Sequence, residues 1–465
     1  MTDTPPISHT LAEFVADFKL EQVPDYALTR AKLHILDAAG TALAAQGTPF
    51  AKAAIGGMTM LAGSGGHAVI GAKQQLPMRD AVLVNGILAH GLDFDDTHVT
   101  GVVHASVSAF PTALALASEL NRSGADMLSA YIIGMETTSR LGMVAKGGFH
   151  QVGFHPTGVT GAFGCALLSG WLYGLDAIEL ANAQGVVLSQ ASGSFEFLAD
   201  GAWNKRLHPG WAGVSGITAA ALAKSGFLGT KLAYEGRFGF FPSHLGALES
   251  NCDYDLATAD LGSVWEVANV AIKPFPVCHF NHACIDSARI LRDKYNIDPK
   301  QIDNIVALVP KEAVKTVCEP LEQKLHPANG YEAQFSTPYA IACGLVRGRF
   351  TLEELEESGW HDPALLAVAE KVTYRVDPDS LFPAYYSGEV VVTMKDGTVY
   401  RHREEKNRGA GDRPLAQEEI VEKFIGNATL TIDKNQAEDI CQAILNLEKQ
   451  NHASDVAALL RSTTN

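Results

Sequence analysis

Gly158-Val159-Thr160-Gly161-Ala162-Phe163-Gly164-Cys165-Ala166 is an apolar run in which Gly, Ala and Thr stand where a core helix would ordinarily carry Leu. Small side chains let helix backbones approach closely, so the run predicts an interior helix of a dense helical bundle. The loop before it, Gly153-Phe154-His155-Pro156-Thr157-Gly158, places His155 just ahead of the helix start, where the positive end of the helix dipole favours negative charge. Upstream, Ile35, Ala38, Ala39 and Ala42 recur at the three-and-four spacing of one helix face, with Gly47 at a C-terminal stop. Asp80 is a candidate cap for a helix through Ala89, and Pro111 suits a first helical turn. Asp176 with Glu179 reads as a capping box before an Ala-rich helix. The helical habit holds to about residue 250.

After about residue 267 the pattern changes. Ile302 to Val309 and Lys371 to Val376 read as strands. Glu389 to Lys395 and Thr398 to Arg403 flank Asp396-Gly397, the strongest short hairpin signal in the chain. Helical patterns at Ala283 to Tyr295, Thr337 to Val346 and Leu352 to Ser358 lie among them. Asp412 then offers a cap for a helix from Leu415 to Phe424, and Asn435 to Lys449 predicts another. The expected architecture is mainly α with an α+β insertion: a large all-helical domain built from both chain ends (1–267 and 404–465) plus a smaller α/β domain (268–403). The polar end, Ser462 to Asn465, is expected to fray.

Composition narrows the function classes. A chain of 465 residues, 47% hydrophobic, can bury a large core. Its formal charge of −16 argues against a nucleic-acid binder or a polybasic membrane adapter, both of which need positive surface. Seven scattered cysteines suit free thiols in a reducing compartment, and neither a leader pattern nor an apolar run of the ~20 residues a membrane span needs is visible. The expectation is a cytoplasmic protein.

Against that acidic background, Trp203-Asn204-Lys205-Arg206-Leu207-His208-Pro209-Gly210-Trp211 gathers three potentially cationic side chains between two indoles. Arg offers a planar fork for a carboxylate, Lys a point charge and His a proton acceptor near neutral pH. The cluster reads as a receiver for a small anion, with a solvated surface loop as the plainer alternative. Three other stretches carry reactive groups. In His90-Gly91-Leu92-Asp93-Phe94-Asp95-Asp96-Thr97-His98, a continuing helix would put His90, Asp93, Asp96 and Thr97 on one face, and His104 follows. The alternative there is a helix end with solvated acids; a metal site is disfavoured because no zinc or calcium spacing accompanies these residues. Lys273-Pro274-Phe275-Pro276-Val277-Cys278-His279-Phe280-Asn281-His282 is stiffened by two prolines, which suits either a held Lys273 or a rigid connector. Tyr331 to Tyr339 adds further polar groups. Walker, dinucleotide-binding and nucleophile-elbow motifs are all missing, so nucleotide and serine-hydrolase chemistry lose ground.

Taken together, His90-Gly-Leu-Asp-Phe-Asp-Asp-Thr97, Gly201-Ala-Trp-Asn-Lys-Arg-Leu-His-Pro-Gly210, Lys273-Pro-Phe-Pro-Val-Cys-His279 and Glu332-Ala-Gln-Phe-Ser-Thr-Pro-Tyr339 resemble the MmgE/PrpD family, in the same order and over nearly the full chain. The family includes 2-methylcitrate dehydratase, cis-aconitate decarboxylase and iminodisuccinate epimerase. The resemblance implies a helical domain formed by both chain ends, an α/β lid domain with a pocket between them, a homodimer, no cofactor and no metal. Carried over residue by residue, it implies Asp93, His104, His155, Lys205 and Lys273 as catalytic groups and Thr97 and Tyr339 as pocket residues. Arg206, His208 and His279 join the substrate-binding candidates. Family members commonly have His-Pro where this chain has His104-Ala105, and the Gly101 to Ser106 run departs from the dehydratase pattern. The chemistry so implied is that of a lyase working on a small di- or tricarboxylate by proton transfer at a carbon next to a carboxylate. A dicarboxylate epimerase and a non-catalytic polycarboxylate-binding protein are the alternatives. Lys205 and Lys273 would clamp the substrate, His155 or His104 would move the proton, and Asp93 would orient a neighbour.

Overall fold

The computed structural model describes residues 5–63, 65–409 and 412–462. Of the tail expected to fray, residues 463–465 lie outside the described residues. The chain divides into two compact units, one made of residues 1–270 with 416–465 and the other of residues 271–415. It is mainly helical, with a small sheet region.

The first unit is a helical bundle whose principal members are α1 (Asp25–Ala45), α2 (Met78–His90), α3 (Ser106–Glu119), α4 (Gly124–Val144), α5 (Pro156–Tyr173), α6 (Ala177–Val187) and α7 (Asn204–Lys224). At its centre is α5, buried from residue 156 to 170 without a break. A helix apolar on every side belongs in an interior, and α3, α4, α6 and α7 all pack against it. Its small residues set the spacing. A Cβ at Gly161 would stand 2.9 Å from Ser108 Oγ, and one at Gly210 on α7 would collide with the Leu83 backbone of α2. Pro209 lies inside α7 beside that contact. The capping box at Asp176 and Glu179 is present, and His155 occupies the N-cap position of α5 without a side-chain capping bond.

Two helix starts differ from the sequence reading. Pro111 sits inside α3, because the helix begins at Ser106, whose N–H donates 3.4 Å to Asp96, a partner distant from any local cap. Asp80 lies in the first turn of α2, which starts at Met78 behind Pro77. There it complements the helix dipole without capping.

The second unit centres on α8 (His282–Tyr295) and α9 (Thr337–Val346), packed together, and on a four-stranded sheet. The strands are β1 (Ile302–Val309), β2 (Val372–Val376), β3 (Gly388–Met394) and β4 (Val399–Glu404), in the order β2-β1-β3-β4. β1 and β2 run parallel, with Ile305 opposite Val372, while β1/β3 and β3/β4 are antiparallel. Ile305, Ala307 and Val309 alternate inward, as a half-buried strand requires. The turn at Asp396-Gly397 joins β3 to β4, with Gly397 at φ +87°. Leu352 to Ser358 is not one helix: a 3-10 turn at Leu352–Leu355 precedes a short helix at Glu357–Trp360.

This unit runs on to Leu415, past the 403 boundary taken from the strands. The segment after β4 is tied back by side chains: Asn407 Nδ2 donates to His279 Nε2 at 2.6 Å, Arg408 lies 3.5 Å from Asp286, and Arg413 pairs with Glu404. Asp412 therefore does not cap a helix; it pairs with Lys406 and accepts from Tyr385 at 2.9 Å. The chain returns to the first unit through α10 (Gln417–Ala428), packed on α1, and α11 (Lys434–Leu445).

Candidate active site

Three chain segments of the first unit meet where α2 ends, α5 begins and the first turns of α7 pass. The helix does not continue through the acidic motif as the one-face reading required. α2 stops at His90, and Asp93 adopts φ +51°, a left-handed conformation uncommon outside glycine. This turn, and not helical spacing, aims Asp93 at α7: Lys205 Nζ donates to Asp93 Oδ1 at 2.8 Å, with both side chains buried.

Three imidazoles surround the pair's sequence neighbours. His90 Nδ1 donates to Asp95 Oδ2 at 3.0 Å. The same oxygen lies 3.2 Å from His104 Nδ1, which also donates to the Asp96 carbonyl at 2.6 Å and lies 3.3 Å from Thr97 Oγ1. His104 is fixed from its backbone as well, its N–H donating to Thr157 Oγ1 on α5 at 3.0 Å. His155 stacks on His90 with centroids 5.4 Å apart, and its Nδ1 lies 3.0 Å from His208 Nδ1. Burial holds His155 well below the ordinary histidine range, reinforced by His208, His90 and Lys205. Burial likewise lowers His90 to about 4, even against the pull of Asp95, and His208 to about 4. His90, His155 and His208 are therefore neutral near pH 7.

Beneath them lies a second buried layer. Asp96 hydrogen-bonds Ser106, whose Oγ is 2.6 Å from Tyr131 Oη, and His34 Nδ1 stands 3.5 Å away. Burial raises the Asp96 carboxyl to about 8, with Ser106 offsetting part of the effect. It is therefore a largely protonated, hydrogen-bonding group at neutral pH and serves to hold the 93–98 loop. Lys423 on the returning α10 holds the same loop, donating to the Phe94 carbonyl at 2.7 Å while pairing with Asp37 at 2.6 Å.

The sequence candidates thus separate. Asp93, Thr97, His104, His155, Lys205 and His208 converge. Arg206 is buried but engaged within the protein: its Nε donates to the Gly91 carbonyl at 2.8 Å and its guanidinium stacks 4.3 Å from the Phe50 ring. Trp203 and Trp211, expected to bracket the cluster, share an outer face of α7 with Leu207, at 48%, 44% and 40% exposure. The stretch is a helix and not a surface loop. In the second unit Lys273 is fully buried, and the connector it begins is held by Gln334, whose Nε2 donates to the Pro276 carbonyl at 2.9 Å. His279 is engaged by Asn407, and Tyr339 is enclosed in that unit's core with its hydroxyl donating to the Glu354 carbonyl at 2.6 Å. His90, Asp95, Ser106, Tyr131 and Lys423 were not singled out as site residues. His90 and Asp95 stood inside a quoted motif, whereas nothing local marks the other three.

Two overlapping groups, His90/His104/His155 and His90/Asp93/Asp95/His104, each bring one ligand atom per residue within 4.8 Å of one another, close enough to hold a metal ion after small side-chain shifts. Among the described residues no disulfide forms, and no helix is long and apolar enough to cross a membrane.

The arrangement is a buried lysine–carboxylate pair next to a group of buried imidazoles. The chain belongs to the MmgE/PrpD family: the MmgE/PrpD N-terminal domain matches residues 9–252 and the MmgE/PrpD C-terminal domain residues 275–449. It is similar to cis-aconitate decarboxylase of Homo sapiens, 29% identical over 98% of this chain and 94% of the relative. The corresponding figures for cis-aconitate decarboxylase of Aspergillus terreus are 24%, 98% and 96%. For the mitochondrial 2-methylcitrate dehydratase of Yarrowia lipolytica they are 24%, 95% and 87%. These relatives are enzymes, a decarboxylase and a dehydratase by name.

Proposed function

We propose that this protein is a cofactor-independent lyase acting on a small di- or tricarboxylate, with decarboxylation of a cis-aconitate-like substrate as the favoured reaction. The observation that carries the reading is the Lys205–Asp93 pair at 2.8 Å next to His90, His104 and His155, in a chain whose relatives over nearly full length are named decarboxylases.

Loss of carbon dioxide leaves the electron pair of the broken C–C bond in the substrate, as enolate-like charge spread toward a remaining carboxylate. Pre-placed cations and donors lower that barrier without solvent reorganisation. Lys205 is the anchor for a substrate carboxylate, and Asp93 holds it in place. His104 delivers the proton that replaces the lost carboxyl group, and Asp95, 3.2 Å from its Nδ1, balances the positive charge it carries in transit. His155, neutral in its buried setting and with its ring centroid 6.0 Å from that of His104, takes a proton from water and recharges His104 after each turnover. Dehydration is the second reading, on the strength of the Yarrowia lipolytica relative. It ranks lower because Gly101 to Ser106 departs from the dehydratase pattern. A cytoplasmic homodimer completes the proposal; light scattering tests the assembly.

The test is incubation with cis-aconitate, 2-methylcitrate and iminodisuccinate in deuterated water, followed by NMR. Decarboxylation of the first with one deuteron incorporated is the expected result. Proton exchange at the α-carbon of iminodisuccinate alone would transfer the reading to an epimerase. Tight binding with neither conversion nor exchange would make the protein a polycarboxylate binder.

A further inference from the structure

The three imidazoles of the site share a feature that proton transfer does not require. In each ring Nδ1 is already occupied: His90 with Asp95 at 3.0 Å, His104 with the Asp96 carbonyl at 2.6 Å, and His155 with His208 at 3.0 Å. Metal-binding histidines are anchored in this way, one nitrogen held by a carboxylate, carbonyl or neighbour so that the other presents its lone pair in a fixed direction. Among the described residues, neither His90 Nε2 nor His155 Nε2 has a hydrogen-bond partner, although the two side chains are only 1% and 2% exposed. One ligand nitrogen from each of the three residues lies within 4.8 Å of the others.

We infer that His90, His104 and His155 form a transition-metal site of the zinc class, and that an ion bound there blocks the catalytic pocket. Three imidazoles with an open fourth position match the donor set of open zinc sites, with water completing the tetrahedron. The donor set is nitrogen-rich, which favours zinc, cobalt or copper over magnesium or calcium. An ion there takes up the nitrogens of His104 and His155 that the proposed reaction uses to move its proton, so it inhibits and does not assist. The inference stands on geometry and does not depend on which polycarboxylate the enzyme takes.

The experiment is titration of the full-length, chelator-treated protein with cobalt(II), read by the visible absorption that nitrogen ligation induces, followed by displacement with zinc. One equivalent bound, with the absorption abolished by zinc, is expected. His90→Gln and His155→Gln should each weaken cobalt binding at least about tenfold. Crystals soaked in zinc give an independent readout, an anomalous peak among the three rings, that does not require the variants to fold. Absence of the cobalt band, a zinc peak elsewhere with the triad empty, or unaltered affinity in both folded variants would overturn the inference. Zinc binding without turnover of any polycarboxylate would sink the proposed function and leave this site standing. Turnover that zinc does not inhibit, in protein that binds no cobalt, would do the reverse.

Discussion

Replacing Lys205 by methionine removes the cation 2.8 Å from Asp93 Oδ1 and keeps most of the side-chain volume. At an effective dielectric of about 20, two unit charges at that distance attract by roughly 6 kcal/mol. Much of this offsets the cost of burying both ions, so the pair itself contributes little. Breaking it from one side is different: the Asp93 carboxylate, 2% exposed, stays buried without that cation, which costs about 3–5 kcal/mol. Lys205→Met should therefore lower the urea midpoint sharply, and Lys205→Met with Asp93→Asn should recover most of the loss. Activity should stay abolished in both, because the anchor for the substrate carboxylate is gone in each. Equilibrium urea unfolding with a matched turnover assay reads the two effects separately. An unchanged midpoint in the single variant, or a double variant no more stable than the single, would refute the account of the pair; wild-type turnover would refute the assignment of Lys205.

Further outcomes follow from the buried layer and the packing. His90 and His208 have folded pKa values of about 4 against about 6.5 unfolded. Between those values the unfolded chain binds more protons, so stability is full above pH 6.5 and falls on acidification toward 4. Each group accounts for up to about 3 kcal/mol, and His90→Gln should flatten part of the slope in urea midpoints measured from pH 7 to 5. Asp96 acts in the opposite sense: its folded pKa of about 8 makes stability fall as pH rises up to 8 and level off beyond. Asp96→Asn should erase the decline between pH 6.5 and 8, and an identical decline in the variant would contradict a protonated Asp96. Arg206→Lys keeps the charge but loses the planar stack on Phe50 and the Nε bond to Gly91, so about 1–2 kcal/mol of stability should disappear from thermal melts. Gly210→Ala drives a methyl group into the Leu83 backbone; a loss of about 1–3 kcal/mol is expected, and a wild-type melting temperature would mean α2 and α7 can separate freely.

Local signals carried much of the fold. The small-residue run of α5, the capping box at Asp176 and the Asp396-Gly397 hairpin each depend on residues within a few positions of one another, and each formed as read. The misreadings at Pro111 and Asp412 share a cause: the helix holding Pro111 starts at Ser106, whose N–H is taken by the Asp96 side chain, and Asp412 pairs with Lys406 and Tyr385, while at Asp80 the helix starts two residues earlier behind Pro77. A cap is a short-range inference, and tertiary contacts override it.

By itself the sequence determined the inventory: helical bundle and inserted sheet, an acidic chain with cations concentrated at Lys205, and the motifs that place it among MmgE/PrpD proteins. Only the tertiary structure decided what each polar residue does. It turned Arg206 inward onto Gly91 and Phe50, sent Trp203 and Trp211 outward, and raised Asp96 to a protonated carboxyl under the loop. It also brought ligand atoms of His90, His104 and His155 within 4.8 Å of one another although 65 positions separate the first from the last along the chain. The physical reason is that charge state and direction are set by burial and by partners arriving from other helices, and neither is encoded in the spacing of residues along one segment.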